Sequence, residues 1–190
     1  QPRISDNLFE KTKTFIQDSL SLLHFVATLS LETQIIMSKE MDPLIYLLVH
    51  AGKFANLCTD SITKLISVFS IIFQDRCART NVKCDLLLNP LITRLDSEDE
   101  SVSSSALNCL TLMLLNNPAL TEQATINGLC ESLYNIINQN ESSTYAYHLI
   151  CYIPTVSQYS AYKMKEAHLF EHLIGLTTSI EWREKAVQAI

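Results

Sequence analysis

The sequence is poor in glycine, with three in 190 residues, at Gly52, Gly128 and Gly175. The phosphate-binding loops of P-loop, Rossmann and kinase sites need several closely spaced glycines, because only glycine lets the backbone approach a phosphate closely. No stretch of this chain has that spacing. The scarcity of glycine therefore excludes the commonest nucleotide-binding enzymes.

Positive charge is also in deficit, since 14 Lys and Arg stand against 20 Asp and Glu, for a net charge of −6. An acidic chain has no overall attraction for phosphate backbones or anionic lipid. The basic cluster of Arg76, Arg79 and Lys83, with Arg94 further along, contains no interleaved aromatic residue. No uninterrupted apolar run approaches the roughly twenty residues that cross a bilayer. We expect neither a nucleic-acid partner nor a membrane partner.

The six cysteines form no Cys-x-x-Cys pair, and five of them lie on or beside apolar helical patterns. This usage is typical of small buried hydrophobes in a reducing compartment. We therefore expect an intracellular protein, cytoplasmic or nuclear. The tripeptide Asn140-Glu141-Ser142 matches the N-glycosylation pattern, which would indicate a secreted protein. Because no secretory signal segment is evident, we expect this site not to be glycosylated.

What the chain has in abundance is leucine and apolar residues spaced three and four apart, with 47% hydrophobic residues overall. This spacing predicts amphipathic helices throughout and no strand. Two buried stripes are clearest: Leu20, Leu23, Val26 and Ala27, and then Ile62, Leu65, Ile66, Phe69 and Phe73. Helix breaks are predicted at 41–43, 88–90, 116–118 and 127–128, where Asn, Asp, Pro and Gly cluster.

A repeat of about 40 residues runs through the chain. Ala106-x-x-x-Leu110 recurs as Ala146-x-x-x-Ile150 and as Ala186-x-x-x-Ile190, and Ile62-x-x-x-Ile66 holds the same place 44 residues upstream. A second marker keeps the same phase, at Pro43-Leu44-Ile45, Pro90-Leu91-Ile92, Ser132-Leu133-Tyr134 and His172-Leu173-Ile174. A period of this length is diagnostic of helical solenoids.

Between the two markers lies an acidic connector, clearest at Asp96-Ser97-Glu98-Asp99-Glu100-Ser101. A leading helix, an acidic turn and a long helix with an Ala-x-x-x-Leu core resemble the armadillo repeat, and the unit from Leu88 to Asn127 matches best. The HEAT repeat has a similar spacing. The resemblance implies an all-α, right-handed superhelical solenoid of about four to five repeats in one domain. We expect repeat units at 1–39, 40–86, 87–128, 129–168 and 169–190. We also expect the chain to be a piece of a longer protein.

The resemblance also implies that the third helix of each unit lines a concave groove, where family members bind extended peptides. In those proteins an Asn, two positions after the core Leu, clamps the peptide backbone, often with a Trp one turn earlier. The Asn positions correspond here to Thr28, Val68, Leu112 and Tyr152, and the Trp positions to His24, Lys64, Asn108 and His148. None of the first positions carries Asn, and none of the second carries Trp. We therefore expect a groove that suits an amphipathic helix or a hydrophobic peptide. Five of the seven tyrosines fall within residues 145–162, and tyrosine is enriched at binding hot spots. The predicted partner-binding residues are Lys64, Asn108, Leu112, Tyr145, His148 and Tyr152.

Two pairs of residues have a spacing that could support metal binding or catalysis. His168 and His172 have the spacing that chelates zinc, but no third ligand is evident. His148 and Cys151 could form a nucleophilic pair, but no orienting group or oxyanion hole is signalled, and Cys151 fits a core position. We therefore expect no metal, no cofactor and no catalysis.

The sequence predicts a non-catalytic scaffold or adaptor that binds a peptide or helix of a partner protein. Two alternatives stay open. One is homo-oligomerisation, for example as a homodimer, because an uncapped solenoid end exposes apolar surface. The other is a regulatory domain that restrains an enzyme in the same polypeptide.

Overall fold

The computed structural model describes residues 4–54, 57–139 and 143–189, and within them it contains helices and no strand. The helices are α1 (Ile4–Leu29), α2 (Leu31–Ser38), α3 (Asp42–Val49), α4 (Thr59–Gln74), α5 (Arg76–Thr80), α6 (Cys84–Leu95), α7 (Glu100–Leu114), α8 (Pro118–Ile126), α9 (Leu129–Gln139), α10 (Thr144–Tyr152), α11 (Gln158–Glu166), α12 (Leu169–Leu176) and α13 (Arg183–Ala189). Short 3₁₀ turns follow α3 at Ala51–Lys53 and α10 at Ile153–Thr155. No described helix is both long and apolar enough to cross a membrane.

After α1, the helices follow one another in triplets: α2–α4, α5–α7, α8–α10 and α11–α13. The third helices α1, α4, α7, α10 and α13 pack against one another in that order, and the second helices α3, α6 and α9 form a neighbouring layer. Among the first helices, α2 packs against α5 and α8 packs against α11. The chain is therefore an α-solenoid in which each triplet contacts mainly its neighbours.

The two sequence markers correspond to two of these layers. The Ala-containing marker lies on the third helices, and Ala106, Ala146 and Ala186 are fully buried. The other marker lies on the second helices. The predicted units therefore start at or near second helices, and their limits remain a prediction, because no gap separates the repeats of a continuous solenoid.

The start of each triplet is fixed by a capping side chain. Ser30, Asp75, Asn117 and Ser157 each accept a hydrogen bond from the backbone N–H three residues on, at the start of α2, α5, α8 and α11. Such a cap stabilises a helix by about 1 kcal/mol, because it satisfies a donor that the helix leaves unpaired. It also turns the chain sharply out of the preceding third helix.

Both predicted apolar stripes face the core. On α4, Leu65, Ile66, Phe69 and Phe73 are fully buried, and the two phenylalanine rings lie 6.1 Å apart. On α1, Leu20 and Ala27 are buried, while the other two residues of that stripe are half-buried. Burial of a large apolar side chain contributes about 1.5–3 kcal/mol, so this stripe holds α4 firmly between its neighbours α1 and α7.

The helix break predicted at 88–90 is wrong, because Pro90 lies inside α6. The residues around it, Leu87, Leu88, Leu91 and Ile92, are all buried against the neighbouring helices. Their burial outweighs the loss of one backbone hydrogen bond at the proline. The guanidinium of Arg94 donates to the carbonyl of Pro90 at 2.6 Å and to that of Leu48, on α3, at 3.0 Å.

The cysteines divide into three environments, so the expectation of small buried hydrophobes holds for only some of them. Cys109, Cys130 and Cys151 are buried, Cys58 and Cys84 are half-buried, and Cys77 is exposed on α5. Alpha5 is only five residues long, so its apolar pattern was too short to fix which side faces the core. The tripeptide Asn140-Glu141-Ser142 lies outside the described residues.

Candidate functional site

The solvent-facing side of the third helices is called here the third-helix surface. The six predicted partner-binding residues all lie on third helices: Lys64 on α4, Asn108 and Leu112 on α7, and Tyr145, His148 and Tyr152 on α10. Tyr145 is exposed and the other five are half-buried. Each of the six therefore retains access to solvent, and their role in binding stays a prediction.

The positions where armadillo proteins carry their Asn clamp do not form a continuous row. Val68 is fully buried, so its side chain takes no part in the surface. Leu112 packs partly against the core. Burial raises the pKa of Tyr152, and the backbone N–H groups of Asn116 and Asn117 oppose that shift.

One turn earlier on each third helix, the side chains are polar throughout. Lys64, Asn108 and His148 are half-buried at equivalent positions, and Gln188 continues the row on α13. Lys64 also pairs with Asp60, whose carboxylate lies 3.1 Å from the ammonium. Asn108 and Gln188 each carry both a donor and an acceptor, which is what a peptide backbone requires of its partner. This row is called here the polar ladder.

The C-terminal end of the polar ladder opens into a pocket of about 270 Å³ between α10 and α13. The pocket is lined by Leu115, His148, Cys151, Tyr152, Thr155, Lys185 and Gln188. Two of the predicted residues, His148 and Tyr152, therefore meet at one site. This depression is called here the α10–α13 pocket.

Residues of the last triplet complete this pocket, and sequence reasoning missed them. The ammonium of Lys185 lies 3.3 Å from Nδ1 of His148 and 5.0 Å from the ring centroid of Trp182. The Trp182 ring is buried and meets the His148 ring edge-on, with centroids 4.7 Å apart. The 40-residue repeat could have indicated two of them, because it places Gln188 at the position equivalent to His148 and Lys185 at the position equivalent to Tyr145.

The electrostatics of the pocket keep both its histidine and its cysteine neutral. Burial lowers the pKa of His148, the ammonium of Lys185 lowers it further, and Glu181 opposes both. Burial also raises the pKa of the Cys151 thiol. A Cys-His nucleophile needs a thiolate that a histidine has activated. In this pocket the thiol stays protonated and the Nδ1 atom of His148 is held by Lys185.

The tyrosine-rich stretch does not form a single surface. Tyr145 and Tyr152 lie on α10, whereas Tyr159 and Tyr162 lie on α11, a first helix. Tyr147 turns toward Trp182, with the ring centroids 5.7 Å apart. The tyrosine-rich stretch is therefore divided between two layers of the solenoid, because the 3₁₀ turn Ile153–Thr155 separates α10 from α11.

The histidine pair does not have the geometry expected of a helical zinc site. His168 precedes α12 and has a left-handed backbone with φ of 58°, so it does not share a helix face with His172. Both rings lie against Tyr134, with centroids 6.3 and 6.0 Å away. Across the described residues, no group of three or more His, Cys, Asp or Glu side chains is placed to hold a metal ion.

Comparison with solved structures finds this architecture in designed proteins. A computationally designed armadillo repeat protein for modular peptide recognition matches with a TM-score of 0.72 and 18% sequence identity, over 92% of this chain and 74% of that one. A designed armadillo repeat protein in complex with the peptide (KR)4 matches with a TM-score of 0.71 and 21% identity, over 91% and 73%. An engineered protein matches with a TM-score of 0.69 and 17% identity, over 95% and 72%.

No protein-family model matches the chain, and no curated protein sequence matches it. The structural matches and the all-helical architecture give the chain an armadillo-like fold, an α-solenoid of helical repeats. Three helices per repeat distinguish the armadillo unit from the two-helix HEAT unit. At these sequence identities, the likeness concerns the fold alone.

Proposed function

We propose that this chain is a non-catalytic scaffold that binds a peptide segment of a partner protein along its third-helix surface. The observation that carries the proposal is the polar ladder, in which equivalent positions on four consecutive third helices bear Lys64, Asn108, His148 and Gln188. Amide and imidazole groups can donate hydrogen bonds to the carbonyl groups, and accept them from the N–H groups, of an extended peptide.

The neighbouring side chains supply the apolar contacts that such a peptide needs. Leu112 and Leu115 are half-buried near the end of α7, and Leu115 lines the α10–α13 pocket together with Tyr152. A tyrosine offers a large contact area with few free rotations. The polar ladder would align the peptide backbone, and these residues would take its side chains.

The experiment is peptide selection followed by measurement of affinity. Peptides are selected from a random library displayed on phage, and their dissociation constants are measured by fluorescence anisotropy. The variant N108A/Q188A should bind about tenfold or more weakly, because two hydrogen bonds to the peptide backbone are lost.

The matched control is N138A/Q139A, which makes the same changes at exposed positions on the second helix α9. It should bind the selected peptides as the unchanged chain does. Equal affinity for both double variants would place the binding surface elsewhere, and a selection that enriches no peptide would reject peptide binding altogether.

A second candidate function, self-association, is favoured by one specific observation. Phe15, Leu22, Phe25 and Leu29 form an apolar stripe on α1, and between 59% and 71% of each residue is exposed. Their spacing of three, four and seven residues puts them on one helix face, away from the buried Leu20. Contiguous apolar surface of this kind marks an interaction face. This stripe is called here the α1 stripe.

A further inference from the structure

The α10–α13 pocket holds a cation that has no carboxylate partner. The ion pairs among the described residues are Lys64 with Asp60, Lys83 with Asp42, Lys163 with Glu166, and His168 with Glu171. Lys185 takes part in none of them. Its ammonium is instead held between the Trp182 ring and Nδ1 of His148.

These two contacts orient the ammonium without neutralising it. The ring face of Trp182 attracts a cation through its quadrupole, and an imidazole nitrogen accepts one of the three ammonium protons. A lysine side chain on a solvent-facing helix would otherwise sample many rotamers. Lys185 therefore presents a charge in a restricted position at the rim of the pocket.

The contact with Lys185 also fixes the state of His148. An ammonium has only donors, so Nδ1 must accept, and the proton of the neutral imidazole then lies on Nε2. This Nε2–H group is a second donor on the pocket wall, and the Gln188 amide supplies a third. The acidic residues of the same segment, Glu181 and Glu184, are exposed and form no ion pair with Lys185.

The rest of the pocket lining is mostly apolar. It consists of Leu115, Cys151 and Tyr152, together with Thr155. The pocket therefore combines an oriented positive charge and neutral donors with an apolar floor. This combination complements a carboxylate at the end of a short aliphatic stem, and it repels a Lys or Arg side chain.

We propose that the α10–α13 pocket binds an acidic side chain, Glu or Asp, of the partner peptide, with the carboxylate at Lys185 and the stem against Tyr152. This inference rests on the proposed function, because the acidic residue is part of the peptide that the third-helix surface binds. It assigns the chain a ligand opposite in charge to the (KR)4 peptide held by the designed protein.

The test uses peptides selected from the random phage library. The selected sequences should be enriched in Glu and Asp, and replacing the critical Glu in a selected peptide by Gln should weaken binding about tenfold, because a charge-assisted hydrogen bond is lost. K185Q should weaken binding by a similar factor, and K185R should retain most of it. The control K165Q removes an exposed lysine on α11 and should leave affinity unchanged.

The outcomes separate this inference from the function on which it rests. Selected peptides that need Asn108 and Gln188, yet bind K185Q and the unchanged chain equally, would overturn the acidic pocket and leave the scaffold proposal standing. Peptides enriched in Lys and Arg would also overturn the acidic pocket. Failure to select any peptide would overturn both proposals.

Discussion

Arg79 shows how one side chain ties a first helix to the end of a third helix. Its guanidinium donates to the carbonyl of Leu112 at 2.6 Å and to that of Leu115 at 3.3 Å, where α7 ends. The last carbonyls of a helix have no partner within the helix and carry partial negative charge. Arg79 therefore supplies hydrogen-bond donors to the carbonyl groups of Leu112 and Leu115 at the end of α7.

We expect R79M to lower the free energy of unfolding by about 1–3 kcal/mol, because it removes charged hydrogen bonds to two carbonyl groups. Urea unfolding monitored by circular dichroism measures the change. The control R76M alters an exposed arginine on the same helix and should shift stability by less than about 0.5 kcal/mol. Equal stability of the two variants would show that Arg79 contributes nothing as a cap.

The pKa of some cysteines follows from the apolar pattern around them, whereas that of Cys58 depends on a distant part of the chain. Burial raises the pKa of Cys109 and of Cys130 to about 12, so these thiols behave as the small hydrophobes that the apolar patterns predicted. At Cys58, burial also raises the pKa, but hydrogen bonds from Ser61 and Gln17 outweigh it and the pKa is lowered. Gln17 belongs to α1, 41 residues away, so no local pattern could have indicated this contact.

At the scale of elements, α6 is the clearest disagreement between local propensity and structure. Pro90 lies in the helix interior, where it lacks the N–H that would bond to the carbonyl of Leu86. The loss of this backbone hydrogen bond is local to α6. The burial of Leu87, Leu88, Leu91 and Ile92 compensates for it, and α6 packs against α3, α7 and α9. Sequence reasoning saw the proline but not the packing.

We expect P90A to raise the free energy of unfolding by about 1–3 kcal/mol, since alanine restores the missing donor and the helical propensity. Thermal and urea unfolding measure the gain. P118A is the matched control, because Pro118 is the first residue of α8, a position that proline suits, and no gain is expected there. A loss of stability in P90A would mean that packing of the proline ring outweighs the missing hydrogen bond.

The capping residues show an element-level signal that was present in the sequence and overlooked. Ser30, Asp75, Asn117 and Ser157 follow one another at steps of 45, 42 and 40 residues, close to the steps of the two apolar markers. Each is a residue type that favours helix N-caps. Read as a third periodic marker, these residues would have located the first helices and set the phase of the repeats.

At the scale of the whole molecule, the α1 stripe is an apolar face that the described residues leave exposed. In a solenoid, each unit buries its faces against its neighbours. Alpha1 packs against α2 and α4 on one side only. A second copy of the chain would cover the stripe by pairing α1 with α1, which brings Leu22 near the centre of the contact.

We expect the purified chain to form dimers as its concentration rises, and L22E to remain monomeric, because the glutamate would place charge in the apolar contact. Light scattering across a wide concentration range measures the mass. The control L86E introduces the same charge at an exposed leucine on α6 and should dimerise as the unchanged chain does. A monomer at every concentration, or equal masses for both variants, would reject self-association through α1.

The sequence by itself determined the helical class, the 40-residue period and the two apolar layers, because burial imposes a spacing that is local to each helix. It also indicated His148 and Tyr152 as surface positions of a third helix. The tertiary structure alone decided that Lys185, Trp182 and Gln188 meet them, that Val68 is buried, and that the tyrosines separate. These facts depend on how consecutive triplets stack, and stacking brings together side chains about 40 residues apart, beyond the range of any helical pattern.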